Sequence, residues 1–182
     1  MPRCKNCKEL FERKYFNQKF CLLDPCVKAF SDFVKAQIWK KEKAKREKDL
    51  QTLPELIKIA QAVFNTFIRL RDKNKDCVSC GGLLIPNPKF SSQYDASHYY
   101  NANNHYNLRF NEDNVNASCT RCNQHLHGNL IEYRKRLIKR IGSERLAILD
   151  DYSRVLRKFT KEEIRDITSY YKEKIKKIKI NQ

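Results

Sequence analysis

Two stretches decide how this chain folds. They are Cys77-Val78-Ser79-Cys80 and, after 38 intervening residues, Cys119-Thr120-Arg121-Cys122-Asn123-Gln124-His125-Leu126-His127. A C-x2-C knuckle delivers two thiolates from one tight turn, and two knuckles fill the four tetrahedral positions of zinc. The pattern occurs earlier too, where 13 residues separate Cys4/Cys7 from Cys21/Cys26. Two structural Cys4 zinc sites therefore use all eight cysteines. Disulfides are the competing reading. The N-terminus carries no apolar signal segment, so reduced thiols and a cytoplasmic location are expected. A thioredoxin-like C-x-x-C does not account for four pairs at once.

The first set encloses Phe11, Tyr15, Phe16 and Phe20 and carries Lys5, Lys8, Arg13, Lys14 and Lys19. A module of about 25 residues buries too little apolar surface to fold alone, so the metal supplies much of its folding energy. Nucleic-acid contact and a structural cap are both open to it. From Val27 to about Gln51 the chain is helix-forming and heavily charged, with a lysine-rich run from Lys40 to Lys48. Its apolar residues stop near Trp39, which predicts a solvated spacer or a phosphate-facing rod beyond.

Thr52, Pro54 and Glu55 form a helix start, and Leu56, Ile57, Ala60, Val63, Phe64, Phe67 and Ile68 follow at helical spacing. That stripe is expected to face the central zinc module. Pro86, Pro88, Ser91, Ser92 and many Asn then predict turns and short strands. After Cys122 the helical period returns. Leu130, Tyr133, Leu137, Ile138 and Ile141 end at Gly142; Leu146, Leu149, Tyr152, Val155 and Leu156 form a second stripe. Thr160 and Glu163 box the start of a last helix with Ile164, Ile167, Tyr171, Ile175 and Ile178.

Charge follows this division. Of 182 residues, 38 are Lys or Arg and 21 Asp or Glu, a net charge of +17. Residues 1–76 hold 19 basic against 10 acidic side chains, residues 77–129 hold 3 against 3, and residues 130–182 hold 16 against 8. A neutral centre between cationic arms favours a polyanionic partner. No apolar run approaches the roughly 20 residues of a membrane span.

The segment between the last two knuckles carries Asp95-Ala96-Ser97-His98-Tyr99 and Leu108-Arg109-Phe110-Asn111-Glu112-Asp113-Asn114. A Cys pair, a strand-end His, an Asn five before the next Cys, a second Cys pair and then Asn or His resembles an HNH nuclease with a structural Cys4 zinc. With the first knuckle, the charged helix, Phe64–Asp72 and Cys122-Asn123-Gln124-His125, most of the chain resembles the NinG (Rap) recombination endonucleases of lambda-like phages. The resemblance implies a structure-specific endonuclease acting on branched DNA, including Holliday junctions and D-loops. It also implies a ββα-metal module holding one catalytic Mg or Mn.

The expected fold is mainly α with small β. It has a Cys4 knuckle (1–30), a charged helix (31–51), a central HNH-like module (52–142) and a basic helical extension (143–182). His98 is the expected general base, because an imidazole near pKa 6.5 accepts a proton at neutral pH. Asn114 matches the middle residue of HNH, which braces the loop holding the His. Asn123 matches a metal ligand of related phage junction-cleaving enzymes, and His127, four residues on, would share its helix face. HNH enzymes commonly carry Asp directly before the base, where this chain has Ser97; Asp95, of the same strand parity, is the candidate carboxylate ligand.

His125 falls off that face, and His105 is expected at solvent or DNA. Tyr99 and Tyr100 either stack on exposed bases or pack in the core. Lys40, Lys41, Lys43, Arg109, Arg121, Arg134 and Arg136 are the expected phosphate contacts. A homodimer, suited to two symmetric cuts, would draw on the stripes at 146–156 and 164–178. Two other readings compete: a non-catalytic zinc-finger nucleic-acid-binding protein, and an HNH nuclease cutting a defined duplex sequence.

Overall fold

A computed structural model of the chain describes residues 1–84 and 94–180. The turns expected at Pro86, Pro88, Ser91 and Ser92 lie outside the described residues. The chain forms two compact units, Met1–Gln51 and Thr52–Gln182.

In the first unit the Cys4–Cys7 turn is closed by a bridge between Arg3 and Leu10. Helix α1 (Asp24–Leu50) starts ahead of the expected Val27. Pro25 sits in its first turn, where a missing N–H breaks no helical bond, so Cys26 is carried inside the helix. Beyond Trp39 every residue is exposed, and Lys43 meets Glu47 at 3.9 Å along the helix surface. Knuckle and charged helix belong to one unit rather than two.

The second unit opens with α2 (Leu53–Arg71). The Thr52 side chain accepts from the Glu55 amide and the Glu55 carboxylate accepts from the Thr52 amide, so the capping box is closed. The buried face of α2, Leu56, Ala60, Phe64, Phe67 and Ile68, packs chiefly on α5 (Lys161–Ile180) through Ile164 and Tyr171. Phe64 and Tyr171 rings stand 4.7 Å apart, and the Tyr171 hydroxyl donates to the Phe110 carbonyl at 3.2 Å.

Helix α5 is thus built into the same core as α2. Of the two stripes, Leu146, Leu149, Ile164 and Tyr171 are buried, while Tyr152, Val155 and Leu156 are exposed. Helices α3 (Leu130–Ile141) and α4 (Ser143–Tyr152) make a second cluster, Tyr133, Leu137, Leu146 and Leu149 with Val78 and Leu108. The stripe expected to reach Leu156 stops at Tyr152, and Leu156 is fully exposed.

Strand β1 (Tyr94–His98) pairs antiparallel with β2 (Val115–Cys119), Tyr94 opposite Cys119 and His98 opposite Val115. The architecture is mainly helical with this small two-stranded sheet. Asp72, fully buried, ties α2 to it: the carboxylate accepts from Arg71 at 2.8 and 2.7 Å, from Lys75 at 2.9 Å and from the Ala117 amide at 3.0 Å. Among the described residues, no helix is long and apolar enough to cross a membrane.

Candidate functional site

Each cysteine set is brought together. Within Cys4, Cys7, Cys21 and Cys26, and within Cys77, Cys80, Cys119 and Cys122, all four sulfurs lie within 4.8 Å of one another. Cys7 and Cys21 sulfurs are 3.7 Å apart, and Cys80 and Cys119 sulfurs 3.9 Å. Metal–sulfur bonds of about 2.3 Å in a tetrahedron set this edge at roughly 3.8 Å, whereas a disulfide needs about 2.05 Å.

Burial opposes ionisation of Cys4, but amides of Cys21, Cys7 and Asn6 outweigh it and lower the thiol to about 6. Cys77 is likewise lowered to about 6, burial being overcome by Ser118 and amide bonds. The Leu23 amide favours the Cys21 thiolate, but burial and the neighbouring sulfurs raise that thiol to about 12, and burial with its neighbours raises Cys122 as well. Four thiolates at this spacing need a cation among them. Either cluster could hold a metal such as zinc.

The second cluster does more than close a turn. Ser79, fully buried in its first knuckle, donates to the Gly128 carbonyl at 2.8 Å. A π-helical turn (Arg121–His125) follows β2, and His127, Gly128 and Asn129 then take left-handed backbone with φ of 47, 88 and 48°. His127 is thus beyond the helix, and the helix-face argument for pairing it with Asn123 does not hold. The left-handed turn brings the two to one cleft anyway.

That cleft, of about 470 Å³, is lined by Ser97, His98, Tyr99, Asn123 and His127 with the 101–103 loop. His98 Nε2 stands 3.0 Å from the Arg109 carbonyl. A carbonyl only accepts, so Nε2 carries the proton and Nδ1 keeps the lone pair. Burial holds the imidazole below its ordinary pKa, the Arg109 charge adds to this, and the Arg109 carbonyl opposes it.

Asn114 is fully buried and holds the segment that follows His98. Its amide donates to the Tyr100 and Leu108 carbonyls at 3.0 Å each and accepts from the Tyr100 amide at 2.8 Å. It positions and does not reach the cleft.

Asp95 does not line the cleft. Its carboxylate accepts from Asn123 Nδ2 and Gln124 Nε2 at 3.0 Å each. The Asn123 amide nitrogen is thereby engaged, which leaves its oxygen as the available donor atom. Ser97 Oγ, buried and without a hydrogen-bond partner, is a second oxygen at the cleft. Oxygen donors with one imidazole suit a hard divalent ion that completes its shell with water and substrate phosphate. Asp95 is the group that orients Asn123.

Several other residues have different work from the expected one. Arg109 donates to Gln61 at 3.2 Å and to the Ala102 carbonyl and Asn103 side chain at 3.0 Å, fastening the loop beside His98 to α2. Arg134 pairs with Asp150 at 2.6 Å and donates to the Tyr99 hydroxyl at 2.8 Å. Neither guanidinium is a simple phosphate clamp. Arg136 stands over Gly81, and Arg121, Lys40, Lys41 and Lys43 are exposed.

His105 is within 2.8 Å of the Ser153 carbonyl and packs on Tyr100, so it fastens the loop to the end of α4. Tyr99 and Tyr100 pack on the Tyr133 cluster. His125 is exposed. Gln61 lies outside every motif, and Ser79 and Asp72 lie within motifs that do not reveal their roles, since their partners Gly128 and Ala117 are distant in sequence.

The family model described as Bacteriophage Lambda NinG protein matches residues 1–181. The chain is 36% identical over 197 residues to Protein ninG of Escherichia phage lambda, covering 97% of this chain and 93% of that one. Proteins ninG of Escherichia phage 933W and Salmonella phage P22 are each 35% identical with the same coverage. No solved structure matches. The match runs nearly end to end, and the chain belongs to the NinG family.

Proposed function

We propose that this protein is a metal-dependent, structure-specific endonuclease that cuts branched DNA, Holliday junctions and D-loops among it, in phage recombination. The observation that carries this reading is the tautomer of His98. Its Nε2 is committed to the Arg109 carbonyl, which leaves Nδ1 as the lone-pair nitrogen, and the residue lines the same cleft as Asn123 and His127.

At neutral pH the buried imidazole is uncharged and takes a proton from water at Nδ1. The water oxygen attacks the phosphorus, and the strand's bridging oxygen leaves. Asn123 and His127 would hold a divalent ion, which would supply charge stabilisation to the leaving oxygen. Asn114 and Arg109 keep the loop and the ring in register. Exposed basic side chains such as Lys40, Lys41, Lys43 and Arg121 contact the phosphate backbone, which favours recognition of shape over base sequence. The site of action is the cytoplasm of the infected cell, and a homodimer would deliver paired cuts.

The test uses a labelled four-way junction and a linear duplex of the same sequence, each with and without Mg or Mn. Cutting of the junction alone, and only with metal, is expected. Equal cutting of the duplex at one sequence would identify a site-specific nuclease. Binding without any cutting would leave a zinc-dependent DNA-binding protein.

A further inference from the structure

The N-terminal unit presents an aromatic groove that the cleft chemistry does not use. It has a volume of about 640 Å³. Phe20 forms its buried floor, with the rings of Phe30 and Phe33 at 5.6 and 5.9 Å. Tyr15 and Phe16 line it while remaining 70% and 94% exposed.

These rings are not on a loose end. Gln18 accepts from the Lys14 amide and donates to the Phe20 carbonyl, both at 2.8 Å. Asn17 takes left-handed backbone with φ of 66°, and the Gln18 amide returns to the Tyr15 carbonyl at 3.2 Å. The turn holds two aromatic side chains outward, against the usual tendency to bury them.

The charge around the groove selects its occupant. Lys19 lines it, Lys5 Nζ sits 5.3 Å from the centre of the Phe33 ring, and no carboxylate residue lines it. Residues 1–20 hold six basic and two acidic side chains. Aromatic faces rimmed by cations suit an unpaired strand, whose bases stack on rings while its phosphates follow the lysines. Bases inside a duplex are already stacked on each other and cannot enter. An apolar protein segment would fill the groove and leave the cationic rim without partners.

We propose that this groove binds the unpaired bases of a single DNA strand, giving the protein a hold on the open part of a branch. The inference rests on DNA being the partner but not on the cleavage step. The full-length, zinc-loaded protein is titrated with an oligothymidylate of about twelve nucleotides and with an abasic strand of equal length and charge.

The oligothymidylate is expected to bind about tenfold tighter or more, the scale of losing stacked bases. The double variant Tyr15→Ala/Phe16→Ala should remove that difference, with blunt-duplex affinity and zinc content unchanged. Phe16→Tyr should keep it. Equal binding of the two strands, or a preference that survives the double variant, overturns the proposal. So does a double variant that alters only self-association in sedimentation, which would assign the groove to a second copy. No cutting is read, so failure here is distinct from failure of the nuclease reading.

Discussion

In the N-terminal unit, Cys4, Cys21 and Cys26 make up most of what is buried, joined by Phe20 alone among larger side chains. In the C-terminal unit, Cys77 and Cys122 stand beside two further clusters, one around Phe64, Ile68 and Ile164 and one around Tyr133 and Leu137. Four cysteines serve each unit with opposite consequences. In the first, the cysteine cluster is the core. In the second, an apolar core exists independently, and the cysteine knuckle positions a turn, through Ser79 and Gly128, that sets His127 at the cleft.

The strongest way to break this comparison is to remove one ligand from each set. Cys26→Ser should unfold residues 1–51, because structural zinc contributes on the order of 10 kcal/mol or more to a small module. Cys119→Ser should leave the α2–α5 pair folded and loosen only the knuckles and the 126–129 turn. Hydrogen exchange resolved along the chain checks this, and global unfolding by Cys119→Ser would contradict the independent core.

A smaller effect sharpens the account of that core. Asp72→Asn leaves the half-buried Arg71 guanidinium without its anion and should cost about 3–5 kcal/mol in denaturant unfolding. The pH dependence has a definite sign. Burial opposes ionisation of Asp72, but the hydrogen bonds and charge of Arg71 lower its pKa in the folded protein. Its stabilising contribution is therefore present above the unfolded carboxyl value near 4 and is lost as pH falls through the folded value. Wild type should lose stability in that acid range and Asp72→Asn should not show the same loss.

The smallest effect compares the knuckle turns directly. Each places the residue after its second cysteine in left-handed backbone, Lys8 with φ of 66° and Gly81 with φ of 73°. Lys8→Gly should stabilise the first unit by up to about 1 kcal/mol, since glycine adopts that backbone freely. Gly81→Ala should destabilise the second by a similar amount, its Cβ also displacing the Arg136 guanidinium. Thermal melts of the zinc-loaded variants should shift in opposite directions.

The contrast also explains what was legible in the sequence. Cysteine spacing located both clusters, and Thr52-Glu55 and Thr160-Glu163 located two helix starts, because these signals are local. The partner of the α2 stripe was not legible. Periodicity marks an apolar face but not what covers it, and α5 lies some ninety residues downstream.

The cleft divided the same way. His98, Asn123 and His127 stand in motif order, yet His127 arrives by three left-handed residues that helical spacing does not anticipate. Asp95, expected as a ligand by strand parity, accepts hydrogen bonds from Asn123 and Gln124, a contact that strand parity does not show. Arg109 and Arg134 read as phosphate contacts because a sequence shows their charge but not the Gln61 and Asp150 side chains they meet.

The central claim is that His98, fixed through Nε2 with Nδ1 free, is the group that accepts the proton during strand cleavage. The measurement is single-turnover cutting of a four-way junction by wild type and His98→Ala at saturating protein with Mg or Mn. Cleavage by His98→Ala should fall about 10²–10⁴-fold with junction affinity and zinc content unchanged. The wild-type rate should keep its plateau to below pH 6.5, since burial lowers this imidazole's pKa. Cutting at the wild-type rate by His98→Ala, or its recovery at raised metal concentration, would contradict the account.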